Sequence, residues 1–284
     1  MKKILILGSS GQIGAYLTEY LREKGHEVFE FDIINDEEQD LTKIPNSKLV
    51  YNIRLADFVF FLAFDVGGSR YLKKYQHTYE FINNNTRLMA NVFQYLAEYR
   101  KPFVFASSQM SNMSYSPYGV LKRMGELYTQ TLGGLIVKFW NVYGIEKDLE
   151  KSHVITDLIR KGFEKGEFEM LTDGTEERQF LYAEDCCEGL EIVMNCYNDF
   201  KPTDPLHITS FKNNSIKHVS EIIQRQFNLI GKHDVKIKPG AAKDNVQMNK
   251  KNEADTYITR WWTPKTPLDQ GIAKVFGEMK NDWV

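Results

Sequence analysis

A strand-length apolar run, Lys3–Leu7 ("KILIL"), stops at Gly8, and glycines recur at Gly11 and Gly14 before a helical pattern begins. Ile13, Leu17 and Leu21 then repeat at the spacing of one helix face, as far as Gly25. Few geometries join a strand to a helix through so tight a turn. The first glycine lets the chain turn, the middle one lets backbone come close to a pyrophosphate, and the third lets helix and strand pack closely. The helix start adds free N–H groups and the positive end of the helix dipole. A glycine triplet alone fits any tight turn as well. Here the next run, "HEVFEFD", reads as a second strand ending on Asp32. That carboxylate can accept both ribose hydroxyls of an adenosine and would repel a 2′-phosphate. Its neighbours are Ile33 and Ile34 rather than an arginine. The pattern predicts NAD rather than NADP, held by Gly8, Ser10, Gly11, Gln12, Ile13, Gly14 and Asp32.

Downstream the alternation continues. "ADFVFFLAF", "PFVFASS" and "GLIVKFWNVYG" read as strands, the last running out into a loop, with helical stretches over residues 71–100 and 118–132 between them. Strands apolar throughout, alternating with helices, predict an α/β fold: a Rossmann-type doubly wound parallel sheet covered on both faces. Between Asp32 and Asp57 there is room for a short helix over residues 48–56, and a third strand would be very short. Past Gly144 the pattern turns irregular, with helices expected near Val154–Lys165, 185–195 and 216–227. We therefore expect a dinucleotide-binding domain over residues 1–143. A smaller α/β C-terminal substrate domain over 144–284 follows, some of its segments returning to the first. The charged stretch "KDNVQMNKKNEADT" reads as exposed.

The formal net charge of −2 gives no reason to expect nucleic acid or an anionic membrane as partner. The longest apolar stretch, residues 58–64, is too short to span a bilayer. Three cysteines without ligand-type spacing suggest neither a disulfide framework nor a metal site. The start, "MKKILILG", has a short apolar run but no cleavage-type segment, so a reduced, cytoplasmic location is expected.

The chemistry-bearing segment is "FVFASSQMSNMSYSPYGVLK". A buried strand ends in Ser107 and Ser108, and a helix opens on Tyr118-x-x-x-Lys122. Residues four apart share a helix face, so phenol and ammonium can point into one site. A free phenol, with a pKa of about 10, is a poor base at neutral pH. Bringing it near 7 takes about 4 kcal/mol, roughly what one ammonium at about 4 Å supplies in a half-buried site. A serine hydroxyl from the strand end can hold the substrate oxygen during proton transfer. On amphipathic helices the Tyr-x-x-x-Lys spacing also arises by chance. Its setting, after a buried strand and downstream of a nucleotide loop, favours the chemical reading.

With these residues in view, the chain resembles the extended short-chain dehydrogenases/reductases, in particular the nucleotide-sugar epimerase/dehydratase group. "ILGSSGQIG" resembles the cofactor loop of that family, "FVFFLAFDVGG" its fourth strand, and "FASS…SPYGVLKRMGE" its catalytic segment. "VKFWNVYG" resembles its Arg-x-x-Asn-x-Tyr-Gly strand, with Lys138 in the basic slot. "LTDGTEERQFLYAEDCCEGL" and "RWWTPKTPLDQGI" resemble two later elements, in the right order. The resemblance implies Tyr118 as base, Lys122 on the nicotinamide ribose, and Ser108 on the substrate hydroxyl with Ser107 as fallback. It implies Leu62 and Ala63 beside the cofactor, together with Asp40 and Leu41. It implies Asn141 and Arg178 at the substrate, the arginine on a diphosphate. Asn85 would join them, with Asn84 almost as good a candidate. The resemblance further implies a homodimer built on the long helix and the Tyr-x-x-x-Lys helix, where Leu88, Val92, Leu96 and Leu127 fit an interface or core packing equally.

Two departures stand out. Only "QMSNMSYSP" separates Ser108 from Tyr118, shorter than is usual in the family, so the sugar cleft is expected to be more open or shaped by other elements. Gln109 and Met110 stand where dehydratases carry acids, and neither can deliver a proton, which argues against 4,6-dehydration. The expected function is an NAD-dependent nucleotide-sugar epimerase working through a transient keto-sugar. The alternatives are a nucleotide-sugar reductase or dehydrogenase of the same fold, or a non-catalytic NAD-binding protein.

Overall fold

The computed structural model describes residues 1–242 and 252–281. In chain order the elements are β1 Lys3–Leu7, α1 Gln12–Glu23, β2 Glu27–Phe31, α2 Ser47–Leu55, β3 Phe58–Phe61, α3 Ser69–Tyr75, α4 Tyr79–Tyr99, β4 Phe103–Ser108, α5 Pro117–Leu132, β5 Leu135–Phe139 and β6 Asn141–Tyr143. Then come α6 Val154–Lys165, β7 Glu167–Glu169, β8 Glu177–Tyr182, α7 Ala183–Asn195, β9 Leu206–Ile208, β10 Asn213–Ser215, α8 Ile216–Leu229, β11 Lys236–Lys238 and α9 Leu268–Lys280.

Six strands form one sheet in the order β2-β1-β3-β4-β5-β9, every pair parallel. The fold is thus α/β and Rossmann-like. Strand alternation explains the apolar runs. Ile4, Ile6, Phe58 and Phe60 face α1 and α7 through Leu17, Leu21 and Leu190, whereas Leu5, Leu7, Val59 and Phe61 face α2 and α4 through Leu49, Met89 and Phe93. Each such side chain contributes about 1.5–3 kcal/mol on burial. The chain runs from β1 out to β2, then crosses to β3 on the other side of β1. That reversal opens a crevice beyond the carboxyl ends of β1 and β3, where open α/β sheets bind ligands.

The short helix expected between β2 and β3 forms as α2, with no strand beside it: Asp36, capping Glu38 N–H at 2.9 Å, and Asn46, capping Leu49 N–H at 2.9 Å, shape that stretch into a short 3-10 turn and then the helix. The structure departs from the expected elements at two places. The helical stretch over 71–100 breaks in two because Thr78 Oγ1 takes the Phe81 N–H and starts α4 afresh. The strand of "IVKFWNVY" divides at Trp140, so that β5 stays in the main sheet while β6 pairs with β8 in a three-stranded sheet, order β10-β8-β6. β11 and β7 make a separate pair. A third core of Ile155, Ile159, Phe168, Phe227 and Phe276 fills the space beneath α6, α8 and α9. Segments past Gly144 rejoin the main sheet: β9 pairs with β5, and α7 packs on α1. Leu88, Val92 and Leu96 belong to the core, at 7%, 0% and 2% exposure, whereas Leu127 stands half exposed on α5. Most of the charged stretch "KDNVQMNKKNEADT" lies outside the described residues. No helix among the described residues is long and apolar enough to cross a membrane.

Candidate active site

The glycine loop is built for close approach. Gly8 sits at φ +87°, and a side chain there would strike the backbone of Ala63 at 2.7 Å. A Cβ on Gly14 would come within 2.0 Å of the Gly8 carbonyl. Gly11 differs: its φ is −69°, and an added Cβ would meet only the Gly8 carbonyl at 3.4 Å, an ordinary contact. No contact among the described residues requires glycine at position 11, and its bare backbone is left open to close approach by a ligand. Helix α1 starts there without a side-chain cap and without an acid in its first turn, leaving its N–H groups for an anion. Ser9 Oγ is buried and lacks a partner among the described residues. Asp32 accepts from Ser10 N–H at 2.9 Å through one oxygen and from Ile34 N–H at 3.0 Å through the other, and each oxygen keeps a lone pair for a ribose hydroxyl. These residues fit a dinucleotide.

Not every residue of the expected cofactor set is open to it. The Gln12 side chain reaches across to the Val142 carbonyl, and Ile13 packs on the core, so both offer backbone rather than side chain. The Asp40 carboxylate closes a turn on Thr42 at 2.7–2.9 Å and pairs with Lys43, while Leu41 is buried and its carbonyl accepts from Asn91.

At the neighbouring strand end, alternation separates the two serines. Ser107 Oγ donates to Glu126 Oε1 at 2.5 Å on one face. Ser108 turns the other way: its hydroxyl accepts from Met110 N–H at 3.2 Å and lies close enough to the Tyr118 phenol to work against the rise of its pKa. The helix carrying Tyr118 starts sharply: Ser116 caps Gly119 N–H, Pro117 fills the first turn, and Gly119 admits the Met110 carbonyl where a Cβ would be 2.3 Å away. Lys122 Nζ donates to the Ala106 carbonyl at 2.7 Å and lies 3.6 Å from the centre of the Phe64 ring and 5.7 Å from that of Tyr118. Ser108, Tyr118 and Lys122 are all buried.

The expected acidification of the phenol is not met by the chain's own groups. Burial pushes Tyr118 up to about 12, and the Ser108 hydroxyl takes back only part of that. Burial also pulls Lys122 down to about 7, against the opposing charge of Glu126. The physical reason is shared: both groups sit in apolar surroundings, and the ammonium is bound to a carbonyl and covered by Phe64 rather than set against the phenol. Lys138, in the expected basic slot, lies 3.2 Å from the fully buried Glu126, which Arg123 also binds at 2.8 Å. Burial alone would raise that carboxyl, but Ser107, Ser111, Lys138 and Arg123 together hold it below the ordinary range.

A cleft of about 450 Å³ opens beside this centre. Asn141 and Arg178 both line it, and Asn141 Oδ1 is a buried acceptor lacking a partner among the described residues. Met110 and Ser116, from the turn joining Ser108 to Tyr118, reach it; Ser108 and Tyr118 are not in its wall. With that turn so short, α3 and the segment around residue 150 shape the opposite side. Gly68 packs on the backbone of Ser152 and His153, Arg70 pairs with Asp157, and Asp65 accepts from Tyr71 at 2.6 Å and Lys151 at 3.0 Å. Asn85 is a correction. It is fully buried, and its side chain binds Asp65 N–H at 2.8 Å and the carbonyls of Asp65 and Phe81, so it anchors the loop after β3 instead of reaching the substrate. Asn84, its alternative, points to solvent.

Two features were not anticipated. Phe64 stands against both Tyr118 and Lys122, in edge contact with the tyrosine ring at 5.8 Å. His153 lines the cleft with Nδ1 held by Glu146 at 2.6 Å. Burial works against its charge, but Glu146 outweighs it and raises the imidazole above its ordinary value. Neither matches a motif spacing: the Phe64 contacts join distant segments, and His153 is held by Glu146 within one irregular loop.

Residues 4–208 match the family described as NAD dependent epimerase/dehydratase. A GDP-L-fucose synthase from Sinorhizobium fredii is 31% identical over 143 residues, 48% of this chain and 43% of that protein. An uncharacterised UDP-glucose epimerase, YtcB, from Bacillus subtilis is 27% identical over 232 residues, covering 68% of this chain and 72% of its own length. Among solved structures, the epimerase Mth375 from Methanothermobacter thermautotrophicus superposes with a TM-score of 0.83 at 18% identity, covering 99% of this chain and 93% of that one.

Proposed function

Because this chain belongs to the NAD-dependent epimerase/dehydratase family, with NAD as its cofactor, we propose that it is a nucleotide-sugar epimerase working through a transient keto-sugar. One observation carries the reading: Ser108, Tyr118 and Lys122 are buried together, Ser108 close enough to the phenol to affect its pKa and Lys122 Nζ one helical turn on, 5.7 Å from the centre of its ring. Bound NAD supplies a hydride acceptor that can return the hydride, and its oxidised ring carries positive charge. It is held by Gly8, Ser10, Gly11, Gln12, Ile13, Gly14 and Asp32, with Leu62 and Ala63 beside it and Asp40 and Leu41 at the margin. Tyr118 takes the proton from a sugar hydroxyl as that carbon becomes a carbonyl, and gives it back when the alcohol re-forms on the other face. Its high intrinsic pKa means the proton leaves only once cationic charge arrives with the ligands. Ser108 orients the reacting oxygen. Asn141 binds the sugar or phosphate, and Arg178 the diphosphate. Gln109 and Met110, unable to donate a proton, favour epimerisation over dehydration.

A nucleotide-sugar reductase is the second reading, favoured by the identity to the GDP-L-fucose synthase. We further propose a cytoplasmic homodimer through α5, where Val120 and Leu127 leave about half their surfaces open. The test is a thermal-shift screen of UDP-, GDP-, CDP- and dTDP-sugars, then analysis of product stereochemistry. An inverted hydroxyl with tightly retained NAD is the expected result; net oxidation of freely exchanging reduced cofactor would establish the reductase instead.

A further inference from the structure

The residue after the cofactor-flanking pair Leu62 and Ala63 is a large aromatic, and its ring lies on the ammonium expected to hold the nicotinamide-side ribose. Lys122 has 3% of its surface exposed. Its Nζ is bound on one side to the Ala106 carbonyl at 2.7 Å, and the Phe64 ring covers another at 3.6 Å. Of its three N–H bonds one goes to Ala106 and one is covered by the ring, so a ribose that engages Nζ through both of its hydroxyls needs the side the ring occupies.

The backbone cannot simply retreat. Ala63 is packed against Gly8, where even one added carbon would be 2.7 Å away. Asp65 is held at both backbone polar groups by Asn85, and through its carboxylate by Tyr71 and Lys151. Residues 63 and 65 are therefore pinned while the side chain between them is only partly buried. Motion falls to the torsions of the partly buried Phe64 side chain.

We propose that Phe64 is a cofactor-site residue, a side-chain gate over Lys122 that the nicotinamide-side ribose of the dinucleotide displaces. This rests on the reading of Lys122 as the ribose-holding cation. Displacing the ring gives up a cation–π contact, which lowers apparent affinity by the fraction of protein with the gate closed. Trimming the ring removes that cost.

The experiment measures the affinities of NAD, ADP-ribose and ADP by calorimetry for the wild type, Phe64→Ala and Phe64→Leu. Phe64→Ala is expected to bind NAD and ADP-ribose about tenfold more tightly than the wild type, with Phe64→Leu in between, and ADP unchanged because it lacks the second ribose. Should the alanine variant fail to fold, the leucine variant is still expected to tighten NAD and ADP-ribose about threefold against ADP. Equal or weaker NAD binding in the variants would overturn the gate. So would tightening of ADP to the same degree, or of NAD without ADP-ribose. A wild type that binds none of the three would instead remove the cofactor reading itself.

Discussion

Gly11→Ala separates a glycine required by a ligand from one required by the fold. The new methyl would lie 3.4 Å from the Gly8 carbonyl, at a φ of −69° that alanine adopts freely. Alanine is a poorer helix cap than glycine by about 0.5–1 kcal/mol. Restricting the unfolded chain returns about 0.4–1 kcal/mol. The net change is about 0.5 kcal/mol or less, a Tm shift of under about 2 °C for a chain of this length. NAD must then meet a methyl where its pyrophosphate meets backbone, an overpacking of about 1–3 kcal/mol, or about 5- to 150-fold in Kd. Gly14→Ala is the control. Its methyl would sit 2.0 Å from the Gly8 carbonyl, and the loop would have to move, lowering Tm by roughly 2–12 °C. Differential scanning calorimetry and NAD titration on both variants provide the assay. A Gly11→Ala protein that binds NAD within twofold of the wild type would refute the loop as a pyrophosphate seat. A Tm loss equal to that of Gly14→Ala would refute the argument that position 11 is free of internal packing.

Ser108→Ala should lower kcat by about 10²-fold or more, whereas Ser107→Ala should mainly lower Tm, because a buried Glu126 oxygen loses a donor worth about 1–3 kcal/mol; equal kcat losses would show that the faces are misassigned. The folded pKa of Lys122, about 7, lies below its unfolded value, so the unfolded chain binds more protons and stability rises with pH from about 7 toward 10.5. Lys122→Met should remove that slope and raise stability at neutral pH by about 1–3 kcal/mol while abolishing turnover; a lower Tm would contradict the burial argument. His153 is held above its ordinary value by Glu146, so their pairing stabilises fully below about pH 6.5 and fades as pH rises through the raised folded value; Glu146→Gln should flatten that part of the Tm–pH curve, and a superimposable curve would exclude the pairing.

The main sheet was legible because its strands are buried on both faces, so Ile4 and Leu5, pointing opposite ways, are equally apolar. The glycine loop was legible through the spacing of its three glycines between a strand and a helix, although only Gly14 answers to near neighbours, whereas Gly8 answers to Ala63 on another strand. The break at Thr78 was not, because a single hydroxyl cap decides it within an otherwise continuous helical pattern. Asn85 was misread since a motif position says nothing of whether its amide is already consumed by Asp65. The sign of the Tyr118 shift was not legible either: the burial that raises it comes from packing across strands and loops. Phe64 owes its place to a contact between distant segments, which no spacing reveals, and His153 to a loop that folds back on Glu146 seven residues earlier.

The central claim is that one phenol oxygen moves the proton while NAD is held beside it. Tyr118→Phe, mixed with NAD and whichever nucleotide sugar the wild type converts, tests it most directly. The account predicts wild-type NAD affinity, no transient reduced nicotinamide absorbance, and product formation reduced by at least about 10²-fold. Turnover at the wild-type rate with the hydroxyl gone would contradict it.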